Sequence, residues 1–175
     1  MEHERKGQSF NWDGLRVTFL WPEISPEKVA PTAKNNDSLV VRLEYGQLSF
    51  LLPGDAKKQV EYTILSGDDA RMLRADVLKV GHHGSKNSTI PQFLAAVDPQ
   101  IAVISSGEEN PYGHPSPKLL RRLGQSGRRI LRSDRDGAVQ IRTDGQNLRV
   151  NCYLACVDSS VQSGSTQPPN HHQRN

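Results

Sequence analysis

Apolar residues along the chain come in short runs, each halted by glycine, proline, asparagine or aspartate. That pattern predicts strands and short helices rather than long helices. The run Leu15–Trp21 alternates so that Leu15, Val17, Phe19 and Trp21 share one strand face. Residues 39–44 and 48–52 are two apolar runs separated by Gly46-Gln47, which predicts a β-hairpin. Residues 56–65 predict a helix with Val60 and Ile64 facing inward and Lys57, Lys58 and Glu61 facing outward.

A strand over 77–80 follows, then a short helix over 90–97 with Pro91 in its first turn, where proline is tolerated. After the apolar run 101–104, residues 116–125 predict a helix with Leu119, Leu120 and Leu123 inward and Arg121 and Arg122 outward. Strands are expected at 129–132, 138–142 and 148–154. Residues 1–11 are expected to be a flexible leader, 12–157 one domain, and 158–175, rich in Ser, Gln, Pro and Asn, a disordered tail. His171 and His172 fall in that tail and receive no role.

The strand–helix–strand–helix–strand order between Leu48 and Leu131 predicts an α/β fold. In such sheets chemistry collects in loops beyond the carboxyl ends of the strands. Three successive runs end there in Gly54-Asp55, in Gly81-His82-His83-Gly84, and in the loop that carries His114. One carboxylate and three imidazoles on neighbouring strand ends form a candidate metal or acid–base site. Mixed oxygen and nitrogen donors suit Zn²⁺ or Mn²⁺ better than Ca²⁺. Two idle surface histidines and an N-capping aspartate are the plainer reading of the same residues.

Composition adds limits. The chain has 175 residues, 22 Lys and Arg against 19 Asp and Glu, and a formal net charge of +3. Mean hydropathy is −0.62. No apolar stretch approaches the roughly 18 residues of a membrane span, and the charged start lacks a signal-peptide core. Absence of an export signal predicts a cytoplasmic chain that does not insert in a membrane. Cys152 and Cys156, four apart in an expected strand, would lie about 13 Å from one another, too far for a disulfide, and are expected to be ordinary core residues. Arg121, Arg122, Arg128, Arg129, Arg132 and Arg135, with Lys79 and Lys86 near the histidines, offer phosphate contacts. Asp134 and Asp136 interrupt the cluster, and no aromatic platform for bases is evident.

Five segments carry a resemblance. They are Asn35-Asn36-Asp37-Ser38-Leu39-Val40, Leu51-Leu52-Pro53-Gly54-Asp55-Ala56, Asp76-Val77-Leu78-Lys79-Val80-Gly81-His82-His83-Gly84-Ser85, Asn110-Pro111-Tyr112-Gly113-His114-Pro115 and Asp134-Arg135-Asp136-Gly137-Ala138. In this order, over about residues 10–150, the chain resembles the metallo-β-lactamase-fold hydrolase domain at the C-terminus of ComEC-type competence (DNA-internalisation) proteins. The resemblance implies an αββα sandwich and a two-metal phosphodiesterase acting on DNA, with Zn²⁺ or Mn²⁺ as cofactor. Asp55 and His114 would be metal ligands, and His82 and His83 the catalytic pair, one touching metal or phosphate. Asn36, Ser38, Ser85 and Lys86 would bind substrate.

The family's main motif, His-x-His-x-Asp-His, and a further histidine precede that aspartate. Here the only histidine before Asp55 is His3. The chain therefore resembles only the C-terminal half of the fold, a partial domain with one sheet face and an edge uncovered. Each zinc needs about four donors, so the chain is expected to be inactive alone. It would be completed by an upstream half-domain, or would work with a membrane channel component encoded separately, and the family context is the membrane and cell surface. The alternatives are a non-catalytic nucleic-acid-binding module and a degenerate remnant.

Overall fold

The computed structural model describes residues 7–22, 35–125, 127–154 and 156. Its strands lie side by side in the order in which the chain makes them: β1 (Ser9–Trp12), β2 (Leu15–Trp21), β3 (Val40–Tyr45), β4 (Leu48–Leu52), β5 (Val77–Lys79), β6 (Ile101–Ile104) and β7 (Arg129–Arg132). β1 to β4 pair antiparallel, and β4 to β7 pair parallel. The change of direction follows from the connections. Two-residue turns join β3 to β4, whereas α1 (Lys58–Ser66), α2 (Pro91–Val97) and α3 (Pro117–Gly124) return the chain between parallel strands. The α/β alternation expected between Leu48 and Leu131 is thus present.

The helices share one face of the sheet. Leu20, Val40, Leu51, Leu78, Val80, Ala102, Ile104 and Ile130 project from the strands into Val60, Ile64, Phe93, Leu94, Val97, Leu119 and Leu123 of the helices. The opposite face is roofed in part by a separate two-stranded ribbon, β8 (Val139–Thr143) and β9 (Leu148–Cys152). Its Val139, Ile141, Leu148 and Val150 pack on Val77, Ile101 and Leu131. Among the described residues, the uncovered face expected from half a sandwich is therefore reduced to the β1–β4 side. There Trp12, 74% exposed, joins Leu15, Leu43, Tyr45 and Phe50 around a shallow apolar groove.

Several sequence expectations are corrected. Residues 9–11, expected in a flexible leader, belong to β1, which pairs Ser9 to Trp12 with Thr18 to Leu15. Trp21 leaves the face of Val17 and Phe19, because the register shifts between Phe19 and Trp21 and turns its ring onto the helix-side core beside Leu20. The connector after α1 is a 3-10 helix, Asp68–Met72. Glu61, expected outside, is 1% exposed. Its carboxylate accepts the backbone N–H of Thr89 and, at 2.9 Å, that of Ile90. Arg122, also expected outside, donates to the carbonyls of Ser88 and Thr89. The two opposite charges thus grip one loop from two helices. Helix periodicity alone sends Glu61 outward; the loop's orphan N–H groups draw it in.

Cys152 and Cys156 form a disulfide, with Cα atoms 5.3 Å apart. The 13 Å expectation assumed a strand running through residue 154, but β9 ends at Cys152 and the chain bends at Tyr153 and Leu154. The Leu154 N–H reaches back to the Asp136 carbonyl at 3.0 Å. The expected tail, including His171 and His172, and most of the loop 22–34 lie outside the described residues. Among the described residues no helix is long and apolar enough to cross a membrane.

Candidate active-site cleft

The carboxyl ends of β4, β5 and β6 open into one cleft of about 520 Å³, lined by Asp55, His82, His83, Ser106, Gly107, Asn110, Tyr112 and His114. The four residues singled out as metal-binding or catalytic thus line a single cavity, although they follow three different strands. Two close approaches bring them together. The His82 N–H donates to the Gly54 carbonyl at 2.9 Å, which fixes the β5 tip to the β4 tip. The Ser116 N–H donates to the Gly84 carbonyl at 2.9 Å, which draws in the loop after β6. Gly84 has φ +85°, and a Cβ there would stand 2.7 Å from Pro115 Cβ. Only glycine admits the His114 loop at this distance.

The β5 tip is strained. His82 and His83 both adopt left-handed backbone conformations, φ 47° and 52°. Such conformations cost non-glycine residues about 1–2 kcal/mol each and concentrate at functional sites. The buried Ser88 hydroxyl donates to the Gly81 carbonyl at 2.7 Å, bracing the turn from behind. The Glu61–Arg122 grip then holds the loop's far end.

His83 Nδ1 lies 2.8 Å from the Ser105 carbonyl. A carbonyl only accepts, so Nδ1 carries the proton. Nε2 then faces Asp55 Oδ1, 3.4 Å away, and carries a lone pair whenever the ring has no second proton. Two lone pairs face one another, and a positive charge between them, a proton or a metal cation, resolves the repulsion. Two donors about 2.1 Å from one tetrahedral ion are themselves about 3.4 Å apart. The pair therefore fits one edge of a coordination shell. The His114 ring lies edge-on to that of His82, their centroids 6.0 Å apart. Among the described residues no group of three or more His, Cys, Asp or Glu is arranged to hold a metal. The donor chemistry fits zinc or manganese, but the number of donors among the described residues does not.

Burial lowers the pKa of His82, Asp55 opposing that shift, so this imidazole is neutral over a wider range than a free one. Lys79, on the sheet face away from the helices, is also pushed down by burial, with Asp55 opposing.

The residues assigned to substrate occupy different places. Ser38 accepts the Asp55 N–H at 3.2 Å and Asn36 accepts the Lys57 N–H at 3.3 Å, so both stand behind the Asp55 turn. Ser85 is buried in the turn after the histidines, and its N–H donates to the His82 carbonyl. Lys86 is exposed beside it.

Asn110, quoted in a motif but given no role, organises the third strand end. Its amide donates to the carbonyls of Gly107 and His114 and accepts the His114 N–H at 2.9 Å. An asparagine four residues before the histidine is the signal that pointed to such a turn. Tyr112, 79% exposed, stands at the cleft mouth with its ring 6.1 Å from His114. It supplies the aromatic surface that the sequence reading did not see.

What the fold and cleft define is an α/β domain with a histidine–aspartate cleft at the carboxyl ends of three parallel strands. No protein-family model matches the chain. It is 44% identical over 119 residues to ComE operon protein 3 of Bacillus subtilis, covering 68% of this chain and 15% of that protein. It is 41% identical over 118 residues to Recombination protein 2 of Haemophilus influenzae, covering 67% and 14%. It is 36% identical over 133 residues to Competence protein ComA of Neisseria gonorrhoeae, covering 76% and 18%. The chain is a relative of these competence proteins and spans less than a fifth of the length of each.

Proposed function

We propose that the cleft is half of a metal-dependent phosphodiesterase site of metallo-β-lactamase type, acting on DNA during uptake. The observation that carries this reading is the Asp55–His83 edge, where imidazole Nε2 and a carboxylate oxygen face each other 3.4 Å apart, the spacing of two donors on one cation. Asp55 and His83 supply two of the metal's donors, and His114 is a further donor in the same cleft. His82, kept neutral by burial, is placed to accept or donate a proton at the phosphate. A metal, when bound, supplies charge to the scissile phosphate and an activated water. Tyr112 at the mouth offers a face on which a base stacks. Relatives named Recombination protein 2 and Competence protein ComA support DNA as the substrate class.

The donors needed to complete the shell come from outside the described residues. Reading the genomic DNA upstream of codon 1 for a His-x-His-x-Asp-His string tests this directly. The expected result is that the string is present, and that the chain extended to include it cleaves a DNA oligonucleotide with Mn²⁺ or Zn²⁺. That cleavage is lost in Asp55→Ala and His114→Ala. Cleavage indifferent to both substitutions overturns the reading, as does an upstream sequence without donors together with a chain that takes up no metal.

The arginine cluster gives the binding-module reading little support. Arg122 is spent on Ser88 and Thr89, Arg128 on Asp98, Arg132 on Asp134 and Arg135 on Asp136.

A further inference from the structure

Cations that are spent inside the fold draw attention to two that are not. Arg142 on β8 and Arg149 on β9 are direct cross-strand partners. Both are exposed, on the outward face of a ribbon whose inward face is apolar and packed. Neither makes a hydrogen bond or ion pair among the described residues. Side chains directly opposed on a ribbon stand about 5 Å apart, and like charges in that position destabilise it. The nearest acid, Asp144, does not relieve them. Its carboxylate is taken up by the N–H groups of Gln146 and Asn147 and by the Asn147 amide, which lower its pKa to about 2.

The pair is held rigidly. At the ribbon's tip the Gln47 N–H donates to the Gly145 carbonyl at 2.7 Å, and a Cβ on Gly46 would collide with that carbonyl. At its base Tyr153 N–H donates to Ala138 at 2.8 Å. Arg142, Arg149, Thr143, Asp144 and Asn147 surround a cavity of about 310 Å³. The exposed neighbours along the ladder are Gln140 and Asn151, a neutral, hydrogen-bonding pair.

We propose that Arg142 and Arg149 form a phosphate-binding subsite for a nucleic-acid strand on the outer face of the β8–β9 ribbon. It lies toward the end of the sheet remote from the histidine cleft. Two guanidinium groups fixed side by side match the oxygens of a phosphodiester, and an anion between them removes the repulsion the empty pair carries. The nucleic-acid ligand is shared with the proposed function; the site itself does not depend on metal or on hydrolysis.

The test is fluorescence anisotropy of a labelled single-stranded thymidine 12-mer with the full chain, at about 50 and 200 mM salt. The expected result for Arg142→Ala/Arg149→Ala is at least about tenfold weaker binding. The slope of log affinity against log salt should be shallower by about 1.4, two contacts at about 0.7 each. Arg142→Lys/Arg149→Lys keeps the slope, Arg16→Ala, an exposed arginine on β2 outside both sites, binds as the parent does, and the double alanine variant melts no lower than the parent. Unchanged affinity and slope in the double alanine variant overturn the proposal. So does loss of binding to anionic phospholipid vesicles or to inorganic phosphate without loss of DNA binding. Loss of DNA binding in the double alanine variant supports this subsite whether or not the extended chain cleaves DNA, and failure of that extended chain to cleave counts against the cleft alone.

Discussion

His83 is held from both sides: Nδ1 by the Ser105 carbonyl at 2.8 Å, Nε2 against the Asp55 carboxylate at 3.4 Å. The first contact fixes the tautomer, and the tautomer gives the second its chemical meaning. Calorimetric titration with Zn²⁺ should therefore show weak binding to the chain, lost in both Asp55→Ala and His83→Ala. Tight binding that survives His83→Ala would place the ion elsewhere in the cleft.

Glu61 makes a different kind of prediction, about pH. Burial, the largest influence, raises its pKa against the opposing pull of the Ile90 and Thr89 N–H groups and of Arg122. The folded chain then holds this proton more tightly than the unfolded chain. Its contribution favours folding at acid pH and weakens as pH rises from about 4.5 through the raised value. In Glu61→Gln that part of the stability–pH profile should flatten, measured by urea melts at successive pH values. Glu61→Ala strands two buried N–H donors and should cost about 2–4 kcal/mol at neutral pH.

The order of strands, the three helices and the meeting of Asp55, His82, His83 and His114 were legible in the sequence. All depend on local periodicity and on the rule that strand ends of parallel sheets share a crevice. Four features depended on long-range partners and were not. Glu61 and Arg122 turn inward toward a loop 28 to 34 residues away. The Cys152–Cys156 bond depends on where β9 stops. Trp21 changes sides through a register shift set by β3. The Ser9–Trp12 strand is exposed throughout, so no burial pattern marks it. The wider sandwich remains a matter of resemblance, since the sheet and ribbon are an α/β arrangement compatible with it.

Gly84 couples the β5 tip to the His114 loop. In Gly84→Ala the new methyl group meets Pro115 and the backbone sits at φ +85°. The expected cost is about 2 kcal/mol from the left-handed conformation and the displaced contact. The His114 loop should move away from Asp55, so histidine NMR resonances of His114 shift while those of the Glu61–Arg122 region do not. A neutral effect on stability would mean that the loop already moves freely.

The disulfide bears on compartment as well as stability. Such bonds persist where the surroundings are oxidising. Cys152 and Cys156 close a loop so short that the chain-entropy contribution is only about 2 kcal/mol. Their half-buried sulfurs also pack beneath the β8–β9 ribbon. Thiol titration of the chain purified without reductant should find no free thiol, and two after denaturation and reduction. Cys152→Ser/Cys156→Ser should lower stability by about 2 kcal/mol. Because the bond ties down the base of the ribbon and not the β5 tip, the same variant should leave the histidine resonances of the cleft in place. It should, however, loosen hydrogen exchange at Tyr153 and Leu154, whose N–H groups reach back to Ala138 and Asp136. Full free thiol in the untreated chain would rule out the bond.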